Sequence, residues 1–535
     1  MGRTTATAIK IAVYLLGILG ATSVLAADVT LRMKGGGFEI NGSLQSFDGK
    51  AYVIRSEEFG EMNLNAKRFD CIGAACPNAQ ATGSLATPTG GPAGVTLPTW
   101  VLGDATLVGG NAIGTHYIPE LVAAFAAANG YIIKKSIGRD TRDLTFVLTD
   151  RENRTVGRVF VKRHGVPAGM ADLLEGKADL VWSGAPATEQ DVRAFANKGI
   201  NIRSISSEHV FALDALAVLV HPQNPLLSLS IDQIADIFAG RVTDWIELGG
   251  TPGPINVYAP VAGMGAGEAF ENLVLNPRNL KLSENATRLE SGSEWTSAVA
   301  SDPLGIGFNM LGYISGTKPL NIKQSCGLVS KPTVFSAKTE EFPLARRLYF
   351  YTRGDPTSRI TRALLEFALS PGAQVALKNA KFVDQQPDEV TFREQASRVA
   401  YALTAQNEDF SFEDMPNLLT DISRANRLST TFRFNLGSAF LDTKAEQDIE
   451  RLAKELQKPA YEGRSVMLLG FADSLGRYEV NLEVSKARAD TVANALKKAG
   501  YAEAVAKAYG ELAPIACNDT PEGRNLNRRV EVWIK

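Results

Sequence analysis

The side chains best suited to catalysis are few and dispersed. Histidine occurs as His116, His164, His209 and His221, each alone in its segment, and no two have the spacing that presents a zinc ion with ligands from one element. Ordinary structural or surface roles are expected for all four. No serine lies in the Gly-x-Ser-x-Gly turn that exposes a hydrolase nucleophile. Gly35-Gly36-Gly37 lacks the Lys-Ser/Thr and the helix that complete a phosphate cradle, so a hairpin turn is its expected role. Trp182, Trp245 and Trp295 fall in core patterns, where packing is expected rather than carbohydrate stacking. With no nucleophile–base pair and no metal constellation, the residues point away from an enzyme and toward a binding protein with no cofactor.

The four cysteines are Cys71, Cys76, Cys326 and Cys517. Their redox state depends on the compartment. Arg3 and Lys10 precede an apolar run from Ile11 to Leu25, and small residues follow at Val24, Ala26 and Ala27. That order of basic, apolar and small residues reads as a secretory signal peptide cleaved after Ala26. The run is short for a membrane span, which needs about 20 residues. No cysteine stands at the cleavage point to take a lipid. Export permits disulfides, and the short Ile72-Gly73-Ala74-Ala75 turn favours Cys71–Cys76. Four cysteines allow three pairings. For Cys326 and Cys517, a bridge tying two domains and a pair of buried free thiols are both open.

The chain has 535 residues, 45% hydrophobic and 21% charged, which are ordinary globular proportions and imply about three or four domains. Its 56 basic and 58 acidic residues leave a formal charge of −2. Nothing there draws it to phosphate backbones, so nucleic acid is not an expected partner.

The elements that must position any site fall into six stretches. Residues 1–26 form the signal peptide. In 27–76, short β-prone runs alternate with Gly and Asp-Gly turns, predicting a small all-β module. Residues 77–99 are rich in Pro, Gly, Thr and Ala and read as a flexible linker. From 100 to 382, strand and helix patterns alternate over a length that suits two lobes, predicting α/β architecture with largely parallel sheets. Residues 383–428 are charged, with an intermittent helical period, and read as a connector. Residues 429–535 run strand, helix, strand, helix, strand, predicting an α+β sandwich. The fold class is thus multidomain.

The last hundred residues carry a recognisable string: Gly470-Phe471-Ala472-Asp473-Ser474-Leu475-Gly476, then Asn481, Leu482, Ser485, Arg488 and Ala489, then Tyr509-Gly510-Glu511, Pro514, Asn518, Gly523-Arg524 and Asn527 through Val532. This resembles the peptidoglycan-binding domain of the OmpA family. The resemblance implies recognition of diaminopimelate in the wall peptide, a residue with ammonium and carboxylate on one carbon. It assigns Asp473 to the ammonium and Arg488 to the carboxylate, a task suited to the planar guanidinium fork. It places Asp473 in the loop after a strand and Arg488 in the first turns of the next helix. Asn481, Asn518 and Arg524 match positions that shape the pocket. Phe471-Ala472 departs from the polar pair common there. Arg524, Arg528 and Arg529, near the terminal strand, read as a solvated basic face, with direct contact to the wall as the alternative.

The middle stretch resembles the phosphate-binding proteins of ABC uptake systems over roughly Leu102 to Leu377. The matching segments are Glu208 to Pro225, Ile234-Ala235-Asp236-Ile237-Phe238-Ala239-Gly240, Thr243-Asp244-Trp245, Glu247-Leu248-Gly249-Gly250 and Gly305-Ile306-Gly307-Phe308. The resemblance implies a two-lobed periplasmic-binding-protein-like domain with a ligand cleft. Its oxyanion ligands are missing at the matching positions. Gly109 to Gly114 keeps glycines without hydroxyls, Ser183-Gly184-Ala185 replaces a Ser-Ser-Arg, and Tyr258 to Ala266 lacks the family's Arg, Asp, Ser and Thr. A residual cleft would comprise Gly110, Asn111, Ser183 and Gly265. The expected function is a non-enzymatic envelope protein, periplasmic and wall-associated, in an envelope with an outer membrane. Its middle domain would meet a small ligand or an envelope protein. The alternative is a working receptor for phosphate or another small anion.

Overall fold

The computed structural model describes residues 28–33, 39–47, 51–56, 60–66, 69–72, 76, 101–396 and 415–535. The stretches read as a signal peptide, a linker and a Gly35–Gly37 turn, and the middle of the connector, lie outside them. The chain divides into two compact units, one reaching Val95 and one starting at Thr96.

Alternation of apolar and polar residues shapes the N-terminal unit. Strands β1 (Asp28–Met33), β2 (Glu39–Phe47), β3 (Ala51–Ser56), β4 (Gly60–Asn65) and β5 (Phe69–Ile72) pair antiparallel in the order β4-β3-β2-β1-β5. One face buries Val29, Leu31, Tyr52, Ile54 and Phe69. Cys71 and Cys76 form a disulfide with S–S 2.00 Å beside that core.

The middle domain starts with β6 (Gly103–Gly109), α1 (Asn111–His116), α2 (Ile118–Ala128), β7 (Ile132–Ile137), β8 (Asp143–Thr149), β9 (Thr155–Lys162), α3 (Val166–Glu175), β10 (Leu180–Ser183) and α4 (Glu189–Ala196). These make the first lobe. Strand β11 (Glu208–Val220), 13 residues long and buried after its first residue, passes into the second lobe. There follow β12 (Ser228–Leu229), α5 (Ile231–Phe238), β13 (Asn256–Pro260), α6 (Gly265–Phe270), β14 (Thr287–Leu289), α7 (Gly292–Ser301), β15 (Gly305–Met310), β16 (Lys318–Pro319), β17 (Asn321–Lys323), β18 (Val329–Ser330) and α8 (Val334–Lys338). Strand β19 (Ala345–Tyr351) returns to the first lobe, which α9 (Arg359–Leu369) and α10 (Pro371–Asn379) complete. Capping boxes at Thr188, Ser230 and Ser291 satisfy the first amides of α4, α5 and α7.

Each lobe has its own core. Phe211, Ala212, Leu348 and Phe350 belong to the first, and Leu213 to Val220 with Leu344 belong mainly to the second. The crossing therefore lies at Ala212/Leu213 on β11 and just before Leu348 on β19, next to a register irregularity between Val210 and Ala212. A largely parallel sheet was the expectation from strand–helix alternation, and the sheet is mixed instead. β6 pairs in parallel with β9 and β10, and β13 with β14 and β15. The β7-β8-β9 hairpins and the crossing strands β11 and β19 are antiparallel. A chain that crosses between lobes and returns must run both ways.

The C-terminal domain draws in more of the connector than its composition suggests. β20 (Glu389–Thr391) joins the sheet, α11 (Met415–Ile422) packs on it, and β21 (Asn426–Arg433) begins before the expected boundary. Then come α12 (Thr443–Leu456), β22 (Val466–Phe471), α13 (Tyr478–Lys498), β23 (Val505–Ala508), α14 (Pro521–Asn527) and β24 (Arg529–Ile534), giving the sheet order β20-β21-β24-β22-β23. Both faces are covered. Val530, Val532 and Ile534 meet α12 and α13, while Trp533 meets α11. Cys326 and Cys517 are joined, with S–S 1.88 Å, tying this domain to the second lobe.

Candidate functional site

One close approach brings the C-terminal charges together. A Cβ on Gly470 would sit 2.1 Å from the Ser485 carbonyl oxygen, so only glycine lets β22 and α13 meet there. Three residues beyond Gly470 the chain carries Asp473, and one turn beyond Ser485 the helix carries Arg488. Asp473 lies in the loop after β22, as expected. Arg488 is near the middle of α13 rather than in its first turns, because that helix starts at Tyr478, just after Gly476 turns the chain at φ 94°.

Both side chains are buried, Asp473 at 3% and Arg488 at 2% exposure. Asp473 Oδ1 accepts the Leu475 amide at 3.0 Å, and its Oδ2 accepts from the Arg528 guanidinium. Arg488 donates to the Ser438 carbonyl at 3.1 Å and the Asn435 carbonyl at 3.4 Å, and lies 5.5 Å from the Phe434 ring centre. Among the described residues no carboxylate forms an ion pair with Arg488. Burial, reinforced by Arg528 and opposed by Asp473, pulls its pKa down to about 10. This is a guanidinium held on carbonyls and an aromatic face, with no carboxylate bonded to it among the described residues.

The neighbouring polar residues hold the loops. The Asn518 side-chain oxygen accepts Asn527 Nδ2 at 2.8 Å and the Ser474 amide at 3.4 Å, and its carbonyl accepts Arg524 Nη1 at 2.8 Å. Asn481 donates to Glu511 at 3.2 Å. Arg528 and Arg529 do not form a solvated face. Arg528 is buried against Asp473, and Arg529 is buried between Glu531 and the Phe471 ring, 4.1 Å from its centre. The covering of the second face of the sheet by α11 turns the side of Arg529 into an interior, while Arg528 is buried in the loops between the Phe434 carbonyl, Asp473 and Asn525. Arg528 and the loop carbonyls of Asn435 and Ser438 are the components missed from the sequence. Arg528 stood in the quoted string, and its step of four from Arg524 was the available signal.

In the middle domain, the two glycine-rich helix starts face each other across the cleft. A Cβ on Gly265 would lie 2.7 Å from that of Ala112, so α6 and α1 touch. Gly109 and Gly114 have a packing cause. A Cβ on either would fall within 2.6 Å of the Trp182 ring, whose Nε1 donates to the Gly110 carbonyl at 2.8 Å. Ser183 Oγ is engaged with Ala185, donating to its carbonyl at 2.6 Å and accepting its amide at 3.1 Å. Asn111 accepts from Thr115 at 3.2 Å. Arg346 enters this region from β19, pairing with buried Asp214 at 3.0 Å and lying over Gly184. Trp245 and Trp295 are buried and donate to backbone carbonyls of Leu304 and Phe308. His209 is buried against Thr352, its pKa pulled down to about 4 chiefly by burial.

These features define a fusion of a two-lobed α/β domain and an α+β sandwich with a cluster of buried charges. Residues 150–371 match the PBP superfamily domain and residues 433–528 match the OmpA family, so the chain carries one domain of each. The phosphate-binding protein PstS of Staphylococcus epidermidis is 23% identical over 221 residues, covering 40% of this chain and 66% of that protein. The chain thus spans just under two thirds of that relative. The probable lipoprotein YiaD of Escherichia coli is 35% identical over 103 residues, 19% of this chain and 46% of that one. The peptidoglycan-associated lipoprotein of Burkholderia pseudomallei aligns with 20% of this chain and 89% of its own, at 23% identity and TM-score 0.19. No helix among the described residues is long and apolar enough to cross a membrane.

Proposed function

We propose that this protein binds peptidoglycan non-covalently through its OmpA-like domain and presents a binding-protein domain that has lost its phosphate site. The observation that carries the reading is Arg488, a buried guanidinium without a carboxylate partner among the described residues. The carboxylate of diaminopimelate supplies that partner, and its ammonium approaches Asp473. The protein acts in the periplasm, at the wall, and turns nothing over. Co-sedimentation of the full chain with diaminopimelate-type sacculi, competed by free diaminopimelate, tests this. Protein that stays in the supernatant sinks it.

The pKa of Arg488 gives the reading a pH signature. Its proton is lost at about pH 10, below the usual arginine value, so the grip on a carboxylate weakens as pH rises through that point. Affinity for a stem peptide should hold up to about pH 9 and fall at pH 10.5. A flat profile across this range would place the carboxylate elsewhere.

In the middle domain, the contact of Ala112 with Gly265 and the pairing of Arg346 with Asp214 occupy the region where an oxyanion would need donors. Each absent charge-assisted hydrogen bond removes roughly 1.5–3 kcal/mol. Isothermal titration with inorganic phosphate should give no saturable heat up to millimolar concentrations. Micromolar binding would restore the receptor reading.

A further inference from the structure

Strand β19 sends neighbouring side chains to opposite faces. Arg346 faces the cleft, where it meets Asp214 and overlies Gly184. Arg347 faces the other way and pairs with Asp442 of the C-terminal domain at 2.7 Å, as well as with Glu340. Asp442 also caps α12, its Oδ1 accepting the Ala445 amide at 2.7 Å. The next residue, Thr443, donates to Glu208 Oε1 at 2.7 Å, and Tyr351 donates to the other oxygen at 3.0 Å. Glu208 opens β11 on the first-lobe side of the crossing.

The same domain is fastened to the second lobe. The Cys326–Cys517 bridge is covalent, the Cys517 amide donates to Gln324 at 2.9 Å, and Arg427 pairs with Glu341. The C-terminal domain therefore spans the hinge behind the cleft. On the cleft side the lobes already meet, through Ala112 with Gly265 and through the His116 and Tyr313 rings, 6.3 Å apart.

We propose that the OmpA-like domain is a brace across the hinge, which holds the binding-protein domain closed. Rotation about β11 and β19 moves Glu208 relative to Cys326. A domain bonded covalently beside Cys326 must then release Glu208. Asp442 also ends the loop whose Asn435 and Ser438 carbonyls hold Arg488. Resting on the wall-binding reading, the second part of the proposal is that a carboxylate at Arg488 and the closed cleft favour each other. Such coupling is reciprocal.

The test reads the interlobe distance in the mature full-length chain. The native cysteines are all in disulfides, so spin labels attach only at Lys198→Cys and Glu284→Cys, exposed positions in the first and second lobes. Asp442→Asn with Thr443→Val removes the charge and the hydroxyl while asparagine keeps the helix cap. Glu208→Gln weakens the same contact from the first lobe and leaves the C-terminal domain untouched. Double electron–electron resonance should show one closed population in the parent, and an open fraction larger by about fivefold or more in either variant. Identical distributions in all three proteins would overturn the brace. A diaminopimelate stem tripeptide should then return the variants toward the closed distance. Binding of the tripeptide with distances unchanged overturns the coupling. Failure of the parent to bind it overturns the wall reading, while the distance comparison without peptide still decides the brace.

Discussion

Arg488→Ala should abolish co-sedimentation with sacculi, lowering affinity by about a hundredfold or more. Loss of a buried, charge-assisted pair at an interface costs about 2–5 kcal/mol, and a bidentate carboxylate contact lies toward the upper part of that range. Arg488→Lys should recover only part of the loss, since an ammonium offers no planar fork. Asp473→Asn should cost less than Arg488→Ala. Its Oδ1 is already held by the Leu475 amide and its Oδ2 by Arg528, so part of its charge serves the protein itself. Removing Arg488 also frees the Asn435 and Ser438 carbonyls, so the thermal unfolding temperature must be measured beside binding. A lysine variant that folds normally and binds like the parent would remove Arg488 from the ligand contact.

How much of this was legible in the residues follows from what kind of interaction each feature needs. The strands and helices of the C-terminal domain were readable because their apolar periods are local. β24, Arg529–Ile534, supplies the final strand expected in this stretch. The early start of α13 was not legible because Tyr478 to Leu482 alternates apolar and polar residues, a strand-like period, and the helix begins there through the turn at Gly476 rather than through an apolar stripe. The burial of Arg529 was not legible at all. It depends on a second covering of the sheet by α11, which only long-range packing reveals. In the middle domain the glycines read as positions kept from the phosphate-binding family without its hydroxyls, and part of their cause is a neighbouring tryptophan. Gly109 and Gly114 are small because Trp182 lies against them. Two lobes could be inferred from length, yet the sheet's mixed direction could not, since strand–helix alternation says nothing about which strands cross between lobes.

Removing the interdomain disulfide should be the largest stability change available outside the cores. Cys326 and Cys517 are 191 residues apart, whereas Cys71 and Cys76 are separated by 5. Closing a longer loop takes more entropy from the unfolded chain, and for a loop of this size the expected stabilisation reaches about 5 kcal/mol, against much less for the short one. The domain should nevertheless stay docked without it. Arg427 still reaches Glu341, Arg433 still donates to the Thr339 carbonyl, and Lys338 still pairs with Asp388 just before β20. The Cys326→Ser/Cys517→Ser protein should therefore keep its native hydrogen-bonded core at neutral pH. Amide exchange in β21, β22 and β24 should speed up by about thirtyfold to a thousandfold, since those strands can now unfold without a covalent hold on the second lobe. The ionic part of the interface should then govern what remains. Burial works against ionisation of Glu340, but Arg347, Lys444 and Arg433 outweigh it and hold its pKa at about 2. A carboxylate depressed in this way stabilises the fold above its ordinary value near 4.5 and loses that contribution as pH falls from there toward 2. The disulfide-free variant should consequently lose its docked C-terminal domain over that acid range while the parent retains it. Exchange rates that match in the two proteins at neutral pH would mean that the noncovalent contacts alone set the stability of the C-terminal sheet.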